Sequence, residues 1–313
     1  MQVVYLDQNK WVDVARAVYD PERHALLHAT LTALCPALDR GDLVFPLSMS
    51  TLYETYKIGD PDRRHRMAHV QATFSQGRVF RGRQARLEVE ASAVFRAAGG
   101  LTDLPVVDGW FLSDVFLEAF LELSDGRYEE LVPAPVVHAI RQEPARFTYD
   151  WIMEADADRR AEGVGMFSRG AAELLRRIET RRVAWADQSG AVRKRAYGAT
   201  MLIDDLDFLL SVAREVGLPW SSVSDMGEKA AKALIRNCPT LNAEREMTTR
   251  LEGQSRDLTE NDTRDMFAYT AAVPYADLVI GENQFINLAR QGGLDRLYGT
   301  RLTSDIQVLA ELI

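Results

Sequence analysis

Cysteine is scarce: Cys35 and Cys238 are the only two in 313 residues, too few for a disulfide framework or a four-thiolate zinc site. Lysine is scarce as well, supplying five of the 37 basic side chains. No apolar run approaches the roughly 18 residues that a transmembrane helix needs. The opening Met1-Gln2-Val3-Val4-Tyr5-Leu6-Asp7 has no basic stretch and no long apolar region, so a signal peptide is not expected. There is no GKS/GKT phosphate loop and no GxGxxG, which argues against nucleotide hydrolysis and dinucleotide redox chemistry. A GxSxG elbow is missing too. The expected compartment is a reducing cytoplasm, with no membrane partner.

What is there reads as an ordinary globular chain, 47% apolar and 27% charged. Its length suggests about two domains. The net charge of −9 works against nonspecific adhesion to nucleic acid, although a local basic surface matters more than the sum. The arginine excess has a bland reading, a coding bias toward Arg and Ala. It also has a functional one, because the planar guanidinium fork suits phosphate.

Along the chain, Gln2 to Leu6 reads as a short buried strand ending in Asp7, followed by a helix from Lys10 to Val18. A second helix is expected over Glu22 to Leu38, a strand over Leu43-Val44-Phe45, and a helix from Ser48 to Tyr56 behind a hydroxyl cap. From about Ala85 to Gly253 only helical periodicity is legible, with clear segments at Phe111–Leu123, Ala172–Val183, Leu202–Val216 and Met226–Ile235. The end returns to alternation. A helix is expected over Asp262–Ala272, a strand over Asp277–Gly281, a helix over Asn283–Arg290, a strand over Thr300–Leu302 and a terminal helix over Ile306–Ile313. The fold class is therefore α/β: a parallel sheet built from both chain ends (1–84 and 255–313), with an all-helical domain (85–254) inserted between them.

In parallel α/β sheets, ligands gather beyond the carboxyl ends of the strands. Acidic residues recur there: Asp7 and then Asn9 after the first strand, Glu54 on the helix after the second, Asp262 and Asp265 at the mouth of a late helix. Glu282 follows the strand Leu278–Ile280, and Thr303, Ser304 and Asp305 follow the last strand. Crowded carboxylates repel one another and raise each other's pKa. A divalent cation with a preference for oxygen relieves that repulsion, and Mg²⁺ or Mn²⁺ suits the set better than a metal seeking His or Cys. The plain alternatives are a helix cap for Asp7 and Asp305, and a first-turn acid at Asp262.

The opening Tyr5-Leu6-Asp7-Gln8-Asn9, Glu54 behind Ser48-x-Ser50-Thr51-Leu52, the run Asn261-Asp262-Thr263-Arg264-Asp265-Met266 and the segment Val273 to Glu282 together resemble a PIN-domain nuclease. The resemblance covers roughly the first 80 and last 55 residues, and its weight lies in the order of the motifs rather than in any one of them. It implies a Rossmann-like sheet of order 3-2-1-4-5 and Mg²⁺- or Mn²⁺-dependent endoribonuclease activity. Asp7, Glu54, Asp265 and Glu282 fall on its acidic quartet, and Asn9 falls on its strand-one polar position. Asp262 or Asp305 would stand behind the ion ligands, with Asn9 and Thr303 or Ser304 orienting water or phosphate. Glu282 stands where Asp is the usual ligand, and the helical insertion makes this chain much longer than the compact members.

Rival readings exist. A PIN-like scaffold without hydrolysis is one. Arg64-x-x-x-x-His69 matches the spacing of metal-independent HEPN ribonucleases. The pairs His65/His69 and His24/His28 lack the partners of a zinc site. Asp204-Asp205-x-Asp207 lacks an EF-hand's Gly and Glu and reads as a solvated face. Arg176-Arg177, Arg181-Arg182 with Trp185, Arg193-Lys194-Arg195 with Tyr197, and the run Arg78, Arg81, Arg83 and Arg86 mix guanidinium groups with aromatics, as surfaces for single-stranded nucleic acid do. The expected partner is RNA, with DNA, a homo-oligomer and a regulatory protein left open.

Overall fold

A computed structural model describes residues 1–102, 104–120 and 132–313. Its centre is a parallel sheet of strands β1 (Gln2–Leu6), β2 (Leu43–Val44), β5 (Leu278–Ile280) and β6 (Arg301–Thr303), ordered β2-β1-β5-β6. Val4, Tyr5 and Leu6 lie opposite Leu278, Val279 and Ile280, and these lie opposite Arg301, Leu302 and Thr303. The first and last segments of the chain are thus zipped together, as the alternation at both ends leads one to expect. A second sheet pairs β3 (Val79–Phe80) with β4 (Leu112–Ser113) antiparallel. A parallel bridge from Leu47 to Val79 joins it to the segment beyond β2.

Side chains alternate across the central sheet with period two. Val4, Leu6, Leu278 and Ile280 point into one apolar cluster with Trp11, Leu31 and Leu34. These come from helices α1 (Gln8–Tyr19) and α2 (Ala25–Asp39), which connect β1 to β2. Val3, Tyr5, Val279 and Leu302 point the other way. Helices cover both faces, so the strands read as continuous apolar runs.

The remaining described helices, in chain order, are α3 (Met49–Tyr56), α4 (Pro61–Ser75), α5 (Arg83–Ala98), α6 (Ala134–Gln142), α7 (Pro144–Glu154), α8 (Ala157–Ala184), α9 (Gly190–Asp204), α10 (Leu206–Glu215), α11 (Val223–Asn237), α12 (Pro239–Glu252), α13 (Glu260–Ala272), α14 (Asn283–Gln291) and α15 (Leu294–Tyr298). The middle of the chain has an apolar cluster of its own, built on Leu87, Phe95, Tyr197, Leu209 and Leu234. It does not stand apart from the sheet. Ala243, Met247 and Leu251 of α12 and Ile178 of α8 enter the cluster on the second face of the sheet.

The structure corrects several expectations. The segment from Phe111 is a short strand and a 3₁₀ turn (Phe116–Ala119) instead of a helix, and residues 121–123 of that expectation lie outside the described residues. The middle is consequently not all-helical. Strands of two residues leave no alternation to read. The helix expected over Leu202–Val216 breaks at Asp205, whose carboxylate is drawn to Arg83 by two hydrogen bonds of 2.9 and 2.7 Å. The terminal segment Ile306–Leu312 winds as a 3₁₀ helix.

If α12 belongs to the sheet's packing, the chain unfolds in one transition that includes the middle segment. Met247, with no exposed surface, should then cost about 2–5 kcal/mol when cut to alanine. Urea denaturation followed by tryptophan fluorescence and by circular dichroism checks this, since a separate domain would give two transitions with only one displaced.

Candidate acidic site

Register brings the site together. Leu6, Ile280 and Thr303 sit side by side at the ends of β1, β5 and β6, so the next residues of each strand emerge at one edge. The Asp7 amide donates to the Ile280 carbonyl at 3.0 Å, and the Gly281 amide donates to the Thr303 carbonyl at 3.0 Å. Asp7 is buried and caps α1, its Oδ1 accepting from the Gln8 amide at 2.7 Å. The cap reading and the site reading therefore both apply to the same carboxylate, because its second oxygen faces elsewhere.

That second oxygen meets Tyr269. The Tyr269 hydroxyl donates to Asp7 Oδ2 at 3.3 Å and accepts from the Glu282 amide at 2.6 Å. One phenol thus fixes the acid of β1 against the acid that follows β5. Asn9 Nδ2 closes the link from the other side, donating to Glu282 Oε1 at 3.1 Å. The hydroxyl reaches this place because Gly281 has no side chain. A Cβ there would overlap the Tyr269 hydroxyl and stand 3.2 Å from Asp7 Cβ. Neither Tyr269 nor Gly281 stands out in the sequence, where the first looks like a core aromatic and the second like a strand-end turn.

Asp265 lies one turn before Tyr269 on α13. Among the described residues no hydrogen bond or ion pair holds its carboxylate. Burial, then the charges of Asp7, Glu282, Glu54 and Asp262, push its pKa up to about 8. Asp7 is raised to about 6, chiefly by burial, with the charge of Glu282 adding to it and the Gln8 amide and Tyr269 hydroxyl opposing. Asp265, Asp7 and Glu282 thus raise the cost of ionising one another, and among the described residues no cation offsets it.

The other expected acids are differently placed. Glu54 contributes to the field at Asp265, but Lys57 holds it at 2.6 Å and Arg264 lies 3.8 Å away. Asp262, expected at or just behind the ion ligands, is a structural acid. It forms a capping box with Thr259, accepts a fork from Arg256 and receives Gln284 Nε2 at 2.9 Å. These partners hold its pKa down to about 2 despite partial burial. Asp305 caps the terminal 3₁₀ helix through the Gln307 amide at 2.9 Å, and Thr303 Oγ1 accepts from the Asp305 amide at 3.1 Å. Thr303 and Ser304 stand one strand away from Gly281, at the same edge.

The donor set bears on a metal in a specific way. All candidate donors are oxygens, and among the described residues no cation stands ready to balance an ionised Asp265. Yet among the described residues no three His, Cys, Asp or Glu side chains come together as one ion-holding group. A divalent ion at this edge would therefore have to keep most of its waters and touch one or two carboxylates, as Mg²⁺ can. Asp7, Asp265 and Glu282 are the residues that would face such an ion.

The rival clusters separate in space. Arg64 is buried and donates to the Ile58 carbonyl at 2.7 Å, whereas His69 is exposed and bonded to the Tyr19 hydroxyl at 2.8 Å. The pair does not converge on one substrate position. Several groups of the expected basic surface are tied to acids. Arg83 lies between Asp205 and Glu244, Arg181 holds Glu252, and Lys194, Arg245 and Arg250 converge on Glu246. Asp205 is accordingly no solvated acid.

Two outcomes follow. Gly281→Ala should expel the Tyr269 hydroxyl from between Asp7 and Glu282 and lower stability by about 1–3 kcal/mol, measured by thermal unfolding. Tyr269→Phe should cost less, because it removes two hydrogen bonds without adding bulk. In EDTA, a carboxyl with a raised folded-state pKa binds its proton more tightly in the folded chain than in the unfolded one. Its contribution is therefore favourable at low pH and is lost as pH rises through about 6 for Asp7 and about 8 for Asp265. Asp265→Asn should raise the melting temperature at pH 8.5 and flatten its fall between pH 5 and 9. A variant with the wild-type slope would contradict the assignment.

No protein-family model matches this chain, and no curated protein and no solved structure matches it.

Proposed function

We propose that the chain is a metal-dependent nuclease of PIN-like build, acting as an endoribonuclease at the edge where Tyr269 ties Asp7 to the Glu282 backbone and Asp265 lies within reach of their charges. The observation that carries this reading is Asp265: a half-buried carboxylate with no cationic partner among the described residues, within reach of the charges of other carboxylates on elements from both ends of the chain. Structural acids look like Asp262, with an arginine fork and capped amides. Asp265 has neither.

The strand arrangement supports the same reading. When the Leu47–Val79 bridge is counted as the continuation of β2, the parallel strands run β3-β2-β1-β5-β6. Setting the antiparallel β4 aside as an edge strand gives the order 3-2-1-4-5 that the family resemblance implies. Its carboxyl edge between β1 and β5 is where acidic ligands would lie.

Bound Mg²⁺ or Mn²⁺ would activate water and stabilise charge developing on a phosphodiester. Asp7 and Asp265 would face the ion and gain from its charge in proportion to their raised pKa values. Asn9, through Glu282, fixes the orientation of the third acid. In-line attack of water on phosphorus, with departure of the 3′ oxygen, leaves a 5′-phosphate and a 3′-hydroxyl.

A second reading, a PIN-like scaffold without hydrolysis, draws on Glu54, which is held by Lys57 instead of being free to meet an ion. One experiment separates the two. Mixed cellular RNA is incubated with wild-type protein in Mn²⁺ or EDTA, and the product ends are identified. The nuclease reading expects 5′-phosphate ends in Mn²⁺ only, and a loss of at least 100-fold in rate for Asp7→Asn with the melting curve retained. Absence of cleavage together with absence of Mn²⁺ binding by calorimetry would favour the scaffold. Cleavage by Asp7→Asn at the wild-type rate would refute the site.

A further inference from the structure

Several arginines, Arg83, Arg181, Arg245 and Arg250 among them, are held by buried acids, whereas those along one groove between α1 and α4 are not. The groove encloses about 540 Å³ and is lined by Arg16, Arg23, Arg63 and Arg66 together with Tyr19 and His24. Two of the guanidinium groups have carboxylate neighbours on α1 and just beyond it: Arg16 pairs with Asp13 at 3.2 Å, and Arg23 with Asp20 at 3.7 Å. Both side chains remain more than half exposed. Arg63 and Arg66 have no acidic partner among the described residues. In a protein of net charge −9, a cleft carrying four guanidinium groups against two weakly held carboxylates is a local reversal of sign.

Aromatic rings stand beside these charges. The Arg66 guanidinium lies over the Tyr19 ring, 5.4 Å from its centroid. The Tyr19 hydroxyl is bonded to His69 Nδ1 at 2.8 Å, and His65 Nδ1 is bonded to the Tyr149 hydroxyl at 2.8 Å. The two imidazoles are parallel within 8° with centroids 6.0 Å apart. His65 and His69 are exposed, so planar faces border the basic groove. Guanidinium groups that meet phosphates, next to rings on which bases stack, are what a single-stranded nucleic acid needs for sequence-tolerant binding. An acidic peptide would use the charges and leave the rings idle.

We infer that the α1/α4 groove binds the phosphodiester backbone of single-stranded RNA, with unpaired bases against the Tyr19–His69 face. Arg16 stands nine residues beyond Asp7 on α1, about 13 Å along the helix axis, so a bound strand lies within a few nucleotides of the acidic edge. The inference deepens the nuclease reading and names where substrate outside the reacting bond is held.

The test is fluorescence anisotropy with a labelled, unstructured 12-nucleotide RNA in EDTA, where no cleavage occurs. Wild type should bind. Arg63→Ala/Arg66→Ala should bind about tenfold more weakly, with the log–log salt slope reduced by about 1.4. Both side chains are surface groups, and an unchanged circular dichroism spectrum verifies the fold. Arg176→Ala/Arg177→Ala removes the same charge from a distant helix and should change neither quantity. The proposal is overturned by wild type that does not bind, by a groove variant that binds as wild type does, or by an equal loss in the control pair. It is equally overturned by polyglutamate competing as well as RNA at matched charge. Groove-dependent binding without cleavage in Mn²⁺ would sink the nuclease reading alone.

Discussion

The pairing of β1 with β5 is the contact on which the rest of the molecule depends. Val3 and Asp277 are 274 residues apart in sequence, yet the Val3 amide donates to Asp277 Oδ2 at 2.7 Å while the Asp277 amide donates to the Val3 carbonyl at 2.8 Å. A one-residue slip here would turn Val4 and Leu6 from one apolar layer to the other. It would also carry Asp7 away from Glu282. Register, core and acidic edge are thus one constraint seen at three scales.

At that edge, stability and charge pull against each other. Burying carboxylates beside one another costs free energy unless protons or a cation compensate. The chain supplies compensation selectively. Asp262 has its arginine, Glu54 its lysine, and Asp7 a phenol and a backbone amide. Asp265 has none of these. A protein that pairs Arg83 with two acids and Glu246 with three cations has the means to neutralise a buried charge, which makes the bare one informative.

The two ends of the chain were legible because buried parallel strands are short apolar runs followed at once by polar residues. Gln2–Leu6 and Leu278–Ile280 both fit this description, and the acids just beyond them could be read as strand-end residues. What could not be read was pairing. Nothing in the spacing separates Asp262, which meets Arg256, from Asp265, which meets no cation, although they share a helix face. The arginine-rich runs misled for the same reason: whether a guanidinium faces water or a buried acid depends on partners far along the chain, 71 residues away for Arg181 and up to 161 for Arg83. Tyr269 was invisible as a site residue because its role comes from the missing Cβ of Gly281.

The insertion has a consequence for synthesis. At about 5–20 residues per second, β1 leaves the ribosome roughly 14–54 s before β5 exists to cover its second edge. In that interval β1 can pair only with β2, and an open apolar strand edge invites the wrong neighbour. The middle, emerging next, brings apolar surface of its own. Through α12 it also delivers the surface against which the late strands dock. An element that looks like an interruption of the sheet is in this sense the scaffold on which the newborn chain completes it.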